Sequence, residues 1–258
     1  MSAGLKRGNK IIFRLFRPKV VPVPTVAGFL FLTLVGCATV LLLVYTVPIF
    51  LALNSPIKHG LLVVEGWGSA ESLRVAADTF KIGDYDAIVV SGGPIDDVFN
   101  CCGFKTYAER SAYVLKQLGI ADAVVIIAPA PASAQDRTYR SAVSVRLRLE
   151  ELGLKVTSLD VFSSGPHARR SRYLYQMAFG PHVEVGAIAA APSGYDSSHW
   201  WRSSAGVKEI LAEVLAYIWT LWFFDPGARG SWQEAWGNVG FIGYPSRINV
   251  ALCNINKN

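Results

Sequence analysis

The 258-residue chain is poor in cysteine and lacks the cysteine spacing of a metal site. Its four cysteines are Cys37 in a long apolar run, the adjacent Cys101 and Cys102, and Cys253 near the C-terminus. Adjacent cysteines bridge each other only with strain, although either one could pair with Cys253 if the fold brought them together. No C-x-x-C with a second such pair is present, so the sequence predicts no metal site.

The sequence also lacks the glycine patterns that bind nucleotides. No G-x-G-x-x-G opens a helix, and no glycine-rich segment ends in G-K-S or G-K-T. The chain therefore carries neither the dinucleotide-binding fingerprint nor a P-loop. A nucleotide-type cofactor is a weaker alternative for a Rossmann-like crevice, and the sequence itself identifies no cofactor.

Acidic residues are absent before Glu65, whereas basic residues are concentrated at the N-terminus. Six of the 25 lysines and arginines lie in the first 19 residues, and the rest of the chain balances 19 basic against 19 acidic residues. The formal charge of +6 therefore belongs to the N-terminal segment. Because nucleic-acid binding needs a basic surface on the folded domain, we expect no nucleic-acid partner.

Charged residues are also absent from residues 26–53. This run of 28 residues exceeds the roughly 20 apolar residues that a membrane-spanning helix needs. The basic residues before it predict a cytoplasmic N-terminus and a main domain outside the cytoplasm. The alternative is a cleaved signal peptide, whose apolar region is usually only about 7 to 15 residues long. We therefore expect a single-pass membrane protein whose main domain lies outside the cytoplasm.

From Gly60 onward, short apolar runs alternate with longer amphipathic ones, which is typical of βα units. The predicted strands are residues 61–65, 87–91, 123–129, 155–162 and 183–190. The predicted helices are residues 70–81, 106–118, 138–152, 167–179 and 203–224. The expected fold is α/β, a Rossmann-like three-layer domain with a mainly parallel sheet, preceded by one N-terminal transmembrane helix.

Four segments follow from this pattern: a basic cytoplasmic tail (1–25), a transmembrane helix (26–53), an extracytoplasmic α/β domain (54–224) and an irregular C-terminal tail (225–258). The last predicted helix is apolar, but Lys208, Glu209 and Glu213 interrupt it. Its uncharged part, about 11 residues, is too short to cross a membrane. A terminal helix that packs on the domain and touches the bilayer surface is the better interpretation.

The residues that follow the strands are the first candidates for a site, because ligands of open α/β sheets bind at the carboxyl ends of the strands. Glu65 ends the first strand, and Ser91, Gly92 and Gly93 end the second. Glycines let backbone N–H groups approach a ligand closely, and Ser91 adds a hydroxyl. A tight turn is the alternative explanation for the glycines.

Two further candidates lie near helix starts. On a helical projection Thr138 lies at the top of the packing face of its helix and therefore faces inward. Alternatively, Thr138 or Asp136 simply caps that helix. Glu109 follows Thr106 by three residues, which is also the spacing of a capping box.

The stretch SSGPHARRSRYLY holds one histidine and three arginines within six residues. A helical projection places His167 and Arg170 on the core-facing stripe, whereas Arg169 and Arg172 face away from it. A guanidinium on that stripe needs an anionic partner, and helix N-termini also attract anions. The partner is either a ligand in the strand-exit crevice or an internal carboxylate, such as Glu65 or Asp136.

The order of these features resembles the SanA/YdcF/ElyC-like family. An SGG turn, a helix that ends in Leu-Gly, a helix led by threonine and a strand that runs into H-x-x-R follow one another between residues 60 and 190. The residues that match family positions are Ser91, Gly92, Gly93, Thr138, His167 and Arg170. Glu109 matches an acidic position with a small shift.

The chain departs from the family at two places. Glu65, Gly66 and Trp67 stand where members commonly have a glycine-rich turn, and Ser141 stands where they usually have asparagine. The resemblance implies a Rossmann-like domain, often held at the bacterial inner membrane by one helix and associated with cell-envelope biogenesis. It implies no agreed reaction.

The leading hypothesis is a membrane-anchored periplasmic protein of cell-envelope biogenesis. It would bind or process a phosphorylated or lipid-carrier-linked precursor of peptidoglycan or polysaccharide, as a hydrolase or a transferase. The residues expected to bind this anionic ligand are Ser91, Gly92, Gly93, Thr138, Arg170 and Glu109. His167 would act as general acid or base, and Glu65 would orient His167 or a water. The alternative is a non-catalytic ligand-binding or scaffold module that recruits envelope synthesis proteins.

Overall fold

An apolar helix, α1 (Val26–Leu51), opens the part of the chain that the computed structural model describes, residues 22–95, 103–133, 135–231 and 233–234. The chain forms two compact units, Met1–Leu43 and Val44–Asn258, so α1 begins in the first and ends in the second. Among the described residues, α1 is the one helix long and apolar enough to span a membrane. The basic N-terminal residues, Cys101, Cys102 and Cys253 lie outside the described ranges.

The second unit contains a five-stranded sheet in which all neighbouring strands are parallel. Its strands are β1 (His59–Glu65), β2 (Asp84–Gly92), β3 (Val125–Pro129), β4 (Ser158–Ser164) and β5 (Glu184–Ala190). Their spatial order is β3-β2-β1-β4-β5, so the winding direction reverses between β1 and β4. The predicted Rossmann-like α/β fold is confirmed.

Five helices connect or follow these strands. They are α2 (Ala70–Ile82), α3 (Tyr107–Gln117), α4 (Arg137–Glu151), α5 (Ala168–Phe179) and α6 (Ser204–Trp222). Short 3-10 turns occur at Asp122–Val124, Gly165–His167 and Ser197–Arg202. Each strand and helix predicted for the domain is present, and the bounds differ by only a few residues.

Both faces of the sheet are buried, because successive side chains of a strand point to opposite faces. Val63 and Val161 face the layer formed by α4 and α5, with Leu149 and Leu174 in the same core cluster. Leu62, Val64, Ile88 and Val90 face the layer of α2 and α3, where Leu73 and Leu115 lie. This arrangement explains why the strands are apolar at consecutive positions instead of alternating.

A buried carboxylate fixes the segment between α1 and β1. Asp160, in the middle of β4, is fully buried and accepts hydrogen bonds from the backbone N–H groups of Ile57 and Lys58, both at 2.8 Å. The Tyr85 hydroxyl donates to the same side chain at 2.7 Å. Gly186 on β5 leaves room for the carboxylate, since a Cβ there would lie 1.9 Å from Asp160 Oδ1. Asp160 is therefore a structural residue.

Part of the predicted irregular tail completes the domain. Arg146 on α4 donates to Glu234 at 2.9 Å and to the Ala178 carbonyl oxygen at 2.9 Å, and both charged side chains are almost fully buried. The Tyr139 hydroxyl also donates to Glu234, at 3.4 Å. No sequence pattern predicts a role for this region, and the ion pair shows that Glu234 packs on α4.

Candidate functional site

The candidate site lies where the winding of the sheet reverses, between the ends of β1 and β4. Glu65 is the last residue of β1, and its side chain is only 3% exposed. The Ser163 hydroxyl donates to its Oε2, and the Ser171 hydroxyl donates to its Oε1 at 3.0 Å. A buried carboxylate is costly unless it is hydrogen-bonded, so these two serines explain how Glu65 is tolerated there.

His167 lies above Glu65, in the 3-10 turn that leads into α5. Its Nδ1 is 2.7 Å from Glu213 Oε1, and its Nε2 is 3.2 Å from Thr138 Oγ1. With the proton on Nδ1, the ring donates to Glu213, and the lone pair of Nε2 faces the threonine hydroxyl. Three elements therefore contribute one chain of polar groups: α6, the turn before α5, and α4.

Glu213 holds the histidine ring in place of Glu65, the residue that the sequence favoured. The closest Glu65 oxygen is 4.0 Å from His167 Nε2, which is too long for a hydrogen bond. In the sequence Glu213 stands out only as a charge that disfavours a membrane span. A carboxylate on an otherwise apolar helix is the signal that could have indicated a buried partner.

Glu213 also supplies the anionic partner of Arg170. Arg170 Nε donates to Glu213 Oε2 at 2.9 Å, and its Nη2 donates to Oε1 at 3.0 Å. Arg170 Nη2 and His167 Nδ1 both donate to Glu213 Oε1, and they therefore lie only 2.9 Å from each other. Burial raises the pKa of Glu213, but the hydrogen bonds from His167 and Arg170 outweigh it and lower that pKa to about 2. The sequence left either a ligand or an internal carboxylate as the partner of Arg170. The structure shows an internal carboxylate, Glu213.

This low pKa predicts a loss of stability in acid. The carboxyl of Glu213 has an ordinary pKa of 4.5 and a folded-state pKa of about 2, so its stabilisation is complete above the first value and is lost as pH falls through the second. The difference corresponds to roughly 3 kcal/mol of unfolding free energy. Urea unfolding from neutral pH to about pH 3 should show a smaller acid loss for Glu213→Gln than for the wild type. Glu71→Gln, at an exposed pair with Arg74, should keep the wild-type pH dependence, and equal losses in all three proteins would contradict the assignment.

Trp67 covers one side of His167, with the two rings edge to face at 5.2 Å between centroids. Its loop is tied down by the Gly66 N–H, which donates to the Ser91 carbonyl oxygen at 2.7 Å, and by the Ser111 hydroxyl, which donates to the Gly66 carbonyl oxygen at 2.6 Å. A Cβ on Gly66 would lie 2.6 Å from the Ser91 carbonyl oxygen. The turn Glu65–Gly66–Trp67 therefore places an indole on the histidine, a contact that the sequence did not predict.

The predicted glycine turn lies at the neighbouring strand end. The Ser91 hydroxyl is fully buried and lies 3.1 Å from the Tyr175 hydroxyl. Gly92 has φ +153°, and a Cβ there would lie 2.8 Å from Tyr107 Cβ, so the start of α3 requires this glycine. The nearest atom to a Cβ on Gly93 would be 3.7 Å away. These contacts favour the structural alternative for Ser91 and Gly92, and the ligand-binding role of all three residues stays a prediction.

Glu109 completes a capping box at the start of α3. Its N–H donates to Thr106 Oγ1 at 3.2 Å, and its Oε2 accepts the Thr106 N–H at 3.3 Å and the Lys105 N–H at 2.9 Å. Both carboxylate contacts are therefore explained by the helix end. Ligand binding by Glu109 stays a prediction, and the structure gives it an ordinary capping role.

A cavity of about 20 Å³ lies beside Thr138 and Arg170, with Asp136 and Trp219 also on its wall. It is large enough for about one water molecule. Asp136 takes the N-cap position of α4 in the left-handed conformation (φ 55°), and its side chain makes no capping hydrogen bond to a described residue. Burial raises the pKa of Asp136, and it outweighs the positive charges of Arg140 and Arg170, which lower that pKa. The first turn of α4 therefore keeps N–H groups that its cap residue does not satisfy.

Comparison with known protein families found no match to this chain, and no curated protein matches it. Among the described residues, no group of three or more His, Cys, Asp or Glu could hold a metal ion. The resemblance to the SanA/YdcF/ElyC-like family stays a prediction. A function therefore has to be inferred from the site itself.

Proposed function

We propose that this protein is a membrane-anchored phosphohydrolase or phosphotransferase of the bacterial cell envelope. The observation that supports it best is the polar chain from Glu213 through His167 to Thr138, with contacts of 2.7 and 3.2 Å. A carboxylate, an imidazole and a hydroxyl in this order activate the hydroxyl as a nucleophile, because the carboxylate orients the base and stabilises its protonated form.

The surroundings of Thr138 favour an anionic substrate. Thr138 lies in the first turn of α4, where the helix dipole and N–H groups that the Asp136 side chain does not cap attract negative charge. Arg170 shares the cavity with Thr138 and is held in place by Glu213. A phosphoryl group bonded to Thr138 Oγ1 would therefore lie beside a fixed guanidinium. The apolar helix α1 and the basic residues before it support a substrate that is met at the outer surface of the inner membrane, such as a lipid-carrier-linked precursor.

The proposed reaction has two steps: transfer of the phosphoryl group to Thr138, and its transfer from Thr138 to water or an acceptor hydroxyl. Thr138 Oγ1 attacks phosphorus while His167 Nε2 takes the hydroxyl proton, and the bond from phosphorus to the leaving oxygen breaks. The leaving oxygen takes this proton from His167. Water or an acceptor hydroxyl then attacks the phosphothreonine, with His167 again as the base, and Thr138 Oγ1 leaves with the proton returned. Arg170 and the N–H groups of α4 stabilise the phosphoryl oxygens.

The test uses the full-length protein in detergent with farnesyl diphosphate and p-nitrophenyl phosphate as probes. We expect phosphate release and, after acid quenching, a phosphorylated peptide that contains Thr138. Thr138→Ser should keep both signals, and Thr138→Ala should lose both. Thr79→Ala on α2, which removes a hydroxyl that donates to the Val75 carbonyl oxygen, is the matched control. Absence of phosphate release and of the phosphopeptide with both probes would overturn the proposal.

A second candidate function is a non-catalytic module that binds an anionic envelope metabolite. The ion pair of Arg170 with Glu213 favours it, since a ligand could bind by replacing Glu213 at the guanidinium. In the same experiment this function predicts saturable probe binding without phosphate release, and it predicts that Arg170→Ala removes the binding.

A further inference from the structure

Helix α6 has an apolar face that the described residues of the domain leave exposed. Leu211, Leu215, Ile218 and Trp222 lie on one side of successive turns and are 53%, 69%, 47% and 79% exposed. We call these four residues the outer face of α6. Exposed apolar surface of this kind usually marks a surface that contacts a partner or a membrane. Farther toward the helix start the same side carries Lys208, and it has no acidic residue.

The opposite side of α6 already has its packing partners. Ile210 is buried, and Val214 and Tyr217 pack in the same cluster as Leu51 and Trp200. Glu213 is committed to His167 and Arg170. The core and the polar site therefore account for the inner side of the helix, and neither explains the outer face.

The last turns of α1 contact α6 within the second unit. The Phe50 ring packs on Tyr217 with 5.8 Å between centroids, and the Trp200 indole N–H donates to the Val44 carbonyl oxygen at 2.9 Å. Arg169, in the first turn of α5, donates to the Phe50 carbonyl oxygen, and its guanidinium lies 3.9 Å from the Phe50 ring centroid. The end of α1 therefore lies at the edge of the sheet where the strands end, which is also the edge that carries His167.

We propose that the outer face of α6 lies in the interfacial layer of the bilayer that α1 enters. The proposal rests on the membrane anchor of the proposed function, but not on its chemistry. Leucine and isoleucine with tryptophan and an adjacent lysine suit this layer, where apolar side chains are buried and tryptophan is enriched. Trp219, Leu221 and Phe223, which are also exposed, extend the apolar surface beside the outer face. Docking in this way holds the His167 site next to the lipid headgroups, where a lipid-linked substrate presents its phosphate.

Fluorescence quenching in nanodiscs tests this docking on the full-length chain. Leu215→Cys is labelled with an environment-sensitive dye in a background in which Cys37, Cys101, Cys102 and Cys253 are serine. The nanodiscs contain equal parts of phosphatidylcholine and phosphatidylglycerol, with or without a lipid that carries a nitroxide near its headgroup. We expect a blue-shifted emission and a loss of roughly half of it or more when the nitroxide is present.

Two controls separate docking from anchoring. A label at Ile82→Cys, 86% exposed and directly before β2 at the opposite edge of the sheet, should keep its emission. A label at Cys37 within α1, in a variant that keeps this cysteine and has serine at the other three, should report lipid, and its failure to do so would overturn the anchor itself. Lipid contact at Cys37 with an unquenched label at Leu215→Cys would overturn the docking of α6 alone. An unquenched blue shift that disappears on dilution would identify a second copy of the chain as the occupant of this face and would also overturn the proposal.

Discussion

Replacing His167 with alanine should lower phosphate release from farnesyl diphosphate about a thousandfold, since positioned general bases contribute roughly 10² to 10⁴. The variant loses the group that takes the Thr138 proton, at 3.2 Å in the wild type. Arg170 keeps its two hydrogen bonds to Glu213, so the ion pair between α5 and α6 survives the change. The loss should therefore appear in kcat, with the far-ultraviolet circular dichroism unchanged.

The chain offers a matched control for this substitution. His199 Nδ1 lies 2.7 Å from Asp196 Oδ2, the same kind of histidine–carboxylate pair as His167 and Glu213, but its side chain is half exposed. His199→Ala should leave the rate of phosphate release close to that of the wild type. If His167→Ala retained full activity, or if both variants lost activity equally, His167 would not be the base.

The local features of this fold were predictable from the sequence because they depend on short periodicities. The apolar run that ends in Glu65 predicts β1, and a period of 3.6 residues places His167 and Arg170 on the same side of their helix. Each of these inferences uses only neighbours within a few turns or one strand. The position of Glu65 at a strand end also follows from local sequence alone.

The partners of these residues could not be predicted in the same way. Glu213 is 46 residues beyond His167 in sequence, and only the packing of α6 on the start of α5 brings their side chains together. Likewise, Ser163 and Ser171 reach Glu65 because β4 pairs beside β1 and α5 returns over it. No periodicity encodes which of several carboxylates a buried cation will meet, so the sequence favoured Glu65 and Asp136 over Glu213.

Two features also show where local rules allow more than one answer. Asp136 occupies the cap position that its residue type favours, yet its backbone is left-handed and its side chain makes no capping hydrogen bond to a described residue. Thr106 occupies the same position at α3, and its hydroxyl accepts the Glu109 N–H. A favoured N-cap residue therefore caps α3 but makes no such bond to a described residue at α4, whose first turn lies beside the Thr138 cavity.

The largest effect on stability should come from Asp160, outside the site. Asp160→Asn keeps the shape of the side chain but replaces one acceptor oxygen with an NH₂ group, which cannot accept a hydrogen bond. Oδ2 accepts from Lys58 and Tyr85, and the Ile57 N–H donates to Oδ1 at 2.8 Å and to Oδ2 at 3.1 Å. With the amide nitrogen in place of Oδ2, the Lys58 N–H loses its acceptor, and with the nitrogen in place of Oδ1, all three donors must share one oxygen. An unpaired buried group costs about 1 to 3 kcal/mol, and losing the charge weakens the remaining bonds, so we expect a loss of about 3 kcal/mol.

Urea unfolding of the wild type and of Asp160→Asn, followed by intrinsic fluorescence in the same detergent, measures this loss. Asp122→Asn is the matched control, because Asp122 forms an ion pair with Lys116 while its own side chain is 80% exposed, and exposed pairs contribute about 1 kcal/mol or less. Phosphate release by folded Asp160→Asn should stay at the wild-type level, since Asp160 holds the linker before β1 and does not contact the His167 site. Equal stability of the two variants would mean that the linker finds other hydrogen-bond acceptors. A selective loss of turnover without a loss of stability would instead indicate that Asp160 takes part in the reaction.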